Sequence, residues 1–283
     1  MDTNWERKPR PYWHVDAKWI TGILLLLALN VTILALILVL ATAPEQGITL
    51  LTMTLASSYS AQGGGLDESG DIEIVKQKIA ESPNGEWQPI PGMRIVVRAE
   101  DIAGMTPREM RLWFFRQWAE PMYYDGADGL ASLMTDPDLQ SELEGGFGPL
   151  GIISAETHGK LKTALAVSGL ISLVLLGLLA FFSHRFGRLG SPGCILLLAA
   201  VPGLVLMSGA RGWLEMSAQP AAAGGEETII TRYTQLAVDV LPGVVNQAIQ
   251  IFLALTVLGA GLMLVALVGA IFFRERKHKE PAA

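Results

Sequence analysis

Four runs without a charged residue, at 19–43, 163–183, 193–210 and 244–273, limit what this chain can fold into more than any other feature. Crossing ~30 Å of hydrocarbon takes about 20 apolar residues in a helix, since no water is present there to satisfy an open backbone. All four runs reach or approach that length. The expected fold is an α-helical polytopic membrane protein with four transmembrane helices, and the lipid bilayer is its first partner. A hydrophobic fraction of 51% against 17% charged residues fits that environment.

Lysines and arginines in short flanks set orientation, because they are retained on the cytoplasmic side. Arg7, Lys8, Arg10 and Lys18 precede the first run, Arg185 and Arg188 follow the second, and Arg274, Arg276, Lys277 and Lys279 follow the fourth. The expected order is a cytoplasmic tail (1–18), a first span (19–43), an extracytoplasmic domain (44–160) and a second span (161–183). A cytoplasmic hinge (184–192), a third span (193–210), an outside loop (211–243), a fourth span (244–273) and a cytoplasmic tail (274–283) complete it. This places the chain in the cell (plasma or inner) membrane as a multi-pass protein with both termini cytoplasmic. Ala41, Thr42 and Ala43 form an Ala-x-Ala pattern, but about 24 apolar residues exceed the ~7–15 of a signal peptide. An uncleaved anchor is expected.

Residues 44–160 hold 8 Lys or Arg against 18 Asp or Glu, a net charge of about −10. Such a segment repels nucleic acid and anionic phospholipid, leaving cations, sugars or another protein as partners. The chain's one cysteine, Cys194, lies at the start of the third run, so no disulfide staples the segment. It reads as a small α+β domain between Gly-rich breaks at 63–65 and 145–149. A helix is expected over 71–80 with Ile72, Val75 and Ile79 on one face, stopped by Ser82-Pro83-Asn84-Gly85, and then a strand over 94–98. Asp136-Pro137 begins a short helix to Glu144.

Thr106-Pro107-Arg108-Glu109 spells a capping box, with Thr106 as N-cap, Pro107 at the first helical position and Glu109 reaching back. The helix that follows, 110–120, carries Trp113, Phe114, Phe115 and Trp118 over most of its circumference, and Tyr123 and Tyr124 come next. Three readings stand: these rings form the domain's own core, dock on the membrane face or a partner's spans, or stack on carbohydrate. They are the candidate interface residues.

Inside the spans the pattern is one of helix packing. Asn30, near the middle of the first, is expected to bond a neighbouring helix; Asn30-Val31-Thr32 also spells a glycosylation sequon, which has no meaning at that depth. Ala164, Ser168 and Ser172 in the second, Ala199 and Gly203 in the third, and Gly261 and Gly269 in the fourth form rows of small residues where backbones approach closely. Pro202-Gly203 is expected to kink the third span. In the outside loop, Ile229, Tyr233, Leu236 and Val240 predict an amphipathic helix ending before Pro242.

No Asp, Glu, Lys, Arg or His falls within the four apolar cores, which disfavours pumps, ion-coupled carriers and membrane haem. His14, His184 and His278 lack close metal-ligand spacing, and Asp125, Asp128, Asp136 and Asp138 do not form a calcium loop. No His-Glu-x-x-His, Gly-x-Ser-x-Gly, Walker or kinase pattern occurs, and no spacing favours a dyad of Ser57, Ser58 or Ser60 with Lys76 or Lys78. No catalytic, cofactor or metal residues are assigned.

A non-catalytic membrane subunit, whether scaffold, assembly factor or accessory protein, is the expectation, with an extracytoplasmic domain that binds a protein partner. One span, a large outside domain and three more spans is an order similar to the layout of FtsX-type and MacB-type membrane subunits. That likeness is of layout and covers no motif. It implies a membrane-coupling subunit of a transport or mechanotransmission complex that works with a separate ATPase, although 184–192 is short for a coupling helix.

Overall fold

The computed structural model describes residues 13–58, 70–89, 92–135, 151–184, 186–217 and 229–278. Its elements are α1 (Trp13–Ala41), α2 (Pro44–Ser58), α3 (Gly70–Glu81), β1 (Glu86–Trp87), β2 (Val97–Arg98), α4 (Pro107–Ser132), α5 (Ala155–Phe182), α6 (Gly187–Ser217) and α7 (Ile229–His278). Four helices are long and apolar enough to cross a membrane: Val15–Ala41, Ala155–Phe182, Gly187–Ser217 and Val240–Phe272. The chain is a multi-pass membrane protein by this measure. The expected Gly-rich breaks and the 136–144 helix lie outside the described residues. The chain divides into two compact units, Met1–Ile37 with Thr163–Gly209 and Asn246–Ala283, and Leu38–Lys162 with Ala210–Val245.

In the first unit, small side chains let helices meet. Ile33 of α1, Ala199 and Ala200 of α6, and Ala248 and Phe252 of α7 form a buried cluster. A Cβ on Gly193 would lie 2.8 Å from the Gly259 carbonyl oxygen, so α6 and α7 touch backbone to backbone. Gly203 seats the Phe252 ring and Gly269 that of Phe186, each leaving 2.3 Å for an added Cβ. Thr32 and Ser172 hydroxyls lie 3.0 Å apart, joining α1 to α5, and Thr32 also donates to Ala28.

One proline expectation is overturned. The chain stays helical through Pro202, and α7 runs through Pro242 instead of stopping before it. A proline removes one backbone donor, but ending an apolar helix would free several more groups in lipid at several kcal/mol each.

The second unit is helical with a minimal sheet, so the α+β expectation reduces to two strands of two residues. They pair antiparallel, Glu86 with Arg98 and Trp87 with Val97. Pro89, lacking an N–H group, cannot extend β1 along the rest of the 94–98 segment. That segment's beginning turns elsewhere: Arg94 N donates to Leu133 O at 2.8 Å, and Met93 bridges Met134. The expected 71–80 helix appears as α3, stopped at Gly85, whose φ of 65° suits glycine.

The capping box is present, with Glu109 N donating to Thr106 Oγ1 (3.3 Å) and Thr106 N donating to Glu109 Oε2 (2.8 Å). The amide and then the hydroxyl of Thr106 hold the Glu109 carboxyl below the usual carboxylate range. Helix α4 outruns its expected end, passing Pro121 and turning at Gly126 (φ 63°, ψ −132°) before closing at Ser132.

Candidate functional site

Helix α2, hidden in the sequence behind the first apolar run, opens with Pro44 and the acidic Glu45 in its first turn. Ile48, Leu51 and Leu55 then recur at 3- and 4-residue steps and are buried. They meet Phe115, Trp118, Ala119, Met122 and Tyr123 of α4, which repeat the same spacing. Across α4, Met110 joins Ile79, Val97 and Ile102 in a second cluster, against which Trp113 and Phe114 pack. The aromatic residues ring the helix because α4 is packed on two sides.

Of the six aromatic candidates, Phe115, Trp118 and Tyr123 are buried, Phe114 and Trp113 are half-buried, and Tyr124 is exposed. Phe114 stacks edge-on against Phe115 at 5.3 Å between ring centres, and Phe115 against Trp118 at 5.6 Å. Most of the expected surface is therefore core, which agrees with the first of the three readings for those residues. Trp113 stands apart because it also lines a cleft.

That cleft, about 260 Å³, lies between α2 and α4 and is lined by Ile48, Thr49, Thr52, Met53, Leu112, Trp113 and Arg116. Its floor is apolar. The Thr49 and Thr52 hydroxyls donate to Glu45 O and Ile48 O, both at 2.7 Å, so they face an incomer as acceptors. Arg116 is exposed at the rim. The arrangement suits an apolar side chain flanked by a carboxylate, held by contact and by a guanidinium rather than by any reacting group.

Behind the cleft, a buried polar knot fixes α2 and α4. Tyr123 OH donates to the Thr42 carbonyl at 2.7 Å, and burial, then the neighbouring Tyr124, pushes its phenol pKa up. The Thr42 hydroxyl donates to Leu38 O and lies 3.2 Å from His158 Nδ1, whose ring also bonds the Val39 backbone. A Cβ on Gly47 would fall 2.6 Å from the Tyr123 ring. Sequence reasoning assigned no role in a site to Thr42, Gly47, Met53, Arg116 or His158; the signal available was the Ile48–Leu55 stripe.

Among the packing candidates, Ala199 and Ser172 are buried in contacts between helices, Gly203 and Gly269 seat rings, and Ser168 is buried with its hydroxyl on Leu165 O. Ala164 and Gly261 are exposed instead, with open space around Gly261. Asn30 is also exposed and donates to Leu26 O of its own helix at 2.8 Å, so Thr32, not Asn30, reaches α5. Among the described residues no three His, Cys, Asp or Glu side chains come together.

Comparison with known proteins returns no match, whether to a family model, a curated protein or a solved structure. Function therefore rests on the chemistry of the chain itself.

Proposed function

We propose that this protein is a non-catalytic integral membrane subunit, a scaffold, assembly or accessory protein, whose extracytoplasmic unit binds a protein partner through the α2–α4 cleft. The observation that carries the reading is the cleft itself: an apolar floor, a tryptophan wall and an exposed arginine at the rim are what a partner's hot-spot side chain requires. Positively charged flanks support a location in the cell membrane with both termini and the 184–192 hinge cytoplasmic, leaving α2 to α4 outside.

A photo-crosslinking residue placed at Trp113 tests this in the native membrane. A discrete protein adduct is expected from position 113, little from exposed Tyr124, and a loss of the adduct in Arg116→Glu. Labelling of lipid alone, or an adduct indifferent to Arg116→Glu, sinks the reading.

One observation favours the alternative of a membrane-coupling subunit working with a separate ATPase. Helix α7 is unbroken from Ile229 to His278, a connection able to carry displacement along a span. Against it, α5 ends at Phe182 and α6 begins at Gly187, leaving no room for a coupling helix. Co-purification of an ATPase would support the alternative over the first reading.

A further inference from the structure

The exposed face of α1 carries a polar group that lipid does not explain. Ile20, Ile23, Leu27, Asn30 and Leu34 follow one another at steps of 3, 4, 3 and 4 residues, the spacing of a seam between two helices that supercoil left-handedly. All five are exposed, whereas Leu25, Ile33 and Ala35 on the other side are buried in the bundle. Acyl chains suffice to cover the isoleucines and leucines, but not the amide. Asn30 lies about 3 Å from the midpoint of the Val15–Ala41 span, counted by helical rise. Its bond to Leu26 O uses one N–H, and the amide makes no other hydrogen bond among the described residues. The second N–H and the carbonyl oxygen thus face hydrocarbon, which is unfavourable for both.

We infer that α1 pairs with α1 of a second copy of this chain, with the two Asn30 amides hydrogen-bonded to each other across a two-fold axis along the membrane normal. A second copy fits for two reasons. Copies inserted by the same charge rule have α1 parallel, so the axis brings Asn30 to Asn30 at one depth. An amide is its own complement, donor to acceptor and acceptor to donor, so the same residue completes both halves. A crossing angle near 20° follows from the seam, and the single asparagine fixes its register. The dimer stands whether or not the cleft binds a partner.

The test uses the full chain, purified and reconstituted at increasing lipid dilution, with Cys194→Ser removing its one thiol. Leu27→Cys and Leu34→Cys are expected to form intermolecular disulfides several-fold faster than Leu264→Cys, which is equally exposed but on α7. By single-molecule photobleaching, Asn30→Leu is expected to weaken the dimer about threefold to eighteenfold, the range of one interhelical polar contact. Asn30→Gln is expected to retain it. A monomer at every dilution, crosslinking no faster at Leu27 and Leu34 than at Leu264, or a dimer unaffected by Asn30→Leu would overturn the proposal. Association appearing only when another membrane protein is added back would overturn it too.

Discussion

The two units solve burial by opposite means. In the span bundle, close contact comes from what is missing: glycines at 193 and 259 bring two backbones together, and Gly203 and Gly269 are hollows for single rings. In the second unit it comes from bulk, with Phe115, Trp118, Met122 and Tyr123 filling the space between α2 and α4. The contrast reflects solvent. Lipid is as apolar as leucine, so large side chains gain nothing by turning inward and only close approach and polar contacts hold helices together. In water, large apolar side chains supply the driving force themselves.

Exchanging the two strategies should break each unit in turn. The largest effect is expected from Tyr123→Ala, which empties the centre of the second unit and leaves the Thr42 carbonyl unpaired: a loss of about 4 kcal/mol, read by chemical denaturation in detergent. Adding bulk to the bundle is next. Gly193→Val drives a side chain into the Gly259 carbonyl and Met263, and a loss of about 3 kcal/mol is expected in the SDS-unfolding midpoint, with the second unit's protease resistance retained. If Gly193→Val is silent, the claim that the bundle depends on close approach fails.

Smaller substitutions sharpen the comparison. Thr106→Ala removes one side of the α4 cap, and about 1 kcal/mol is expected in the unfolding midpoint. The same cap predicts a pH effect: Glu109 has a depressed pKa, so its contribution is full above the unfolded-state value near pH 4 and fades as pH falls through the lower folded value. Glu109→Gln should therefore diverge from the parent most at neutral pH and converge with it in acid. The smallest change, about 0.6 kcal/mol, is expected from Thr32→Val, which deletes the hydroxyl contact to Ser172.

What could be read from sequence also divides by solvent. The four spans, the α3 helix and the capping box are local patterns whose physics is complete within a few residues. Helix α2 was hidden because its stripe continues an apolar run already assigned to lipid, so hydropathy masked periodicity. Pro242 misled because the rules for proline come from water, where a helix end is readily solvated. The 94–98 strand was overextended because strand pairing depends on its partner, and that partner is cut short by Pro89. Of the aromatic residues, only Trp113 reaches the cleft; which ring faces α2 and which faces α3 depends on two packing partners that lie about 35 to 75 residues away in sequence.

Tyr123 has a mechanical meaning beyond its place in the core. Its hydroxyl grips the carbonyl just past the end of α1, 81 residues away in the chain, while its ring presses the first turn of α2 at Gly47. A load applied to α4 therefore meets Thr42 through this side chain, as well as through the packing on α2, without passing along the 81 residues of chain between them. The residue works as a rivet within the second unit, fastening α4 to the short stretch of chain between α1 and α2.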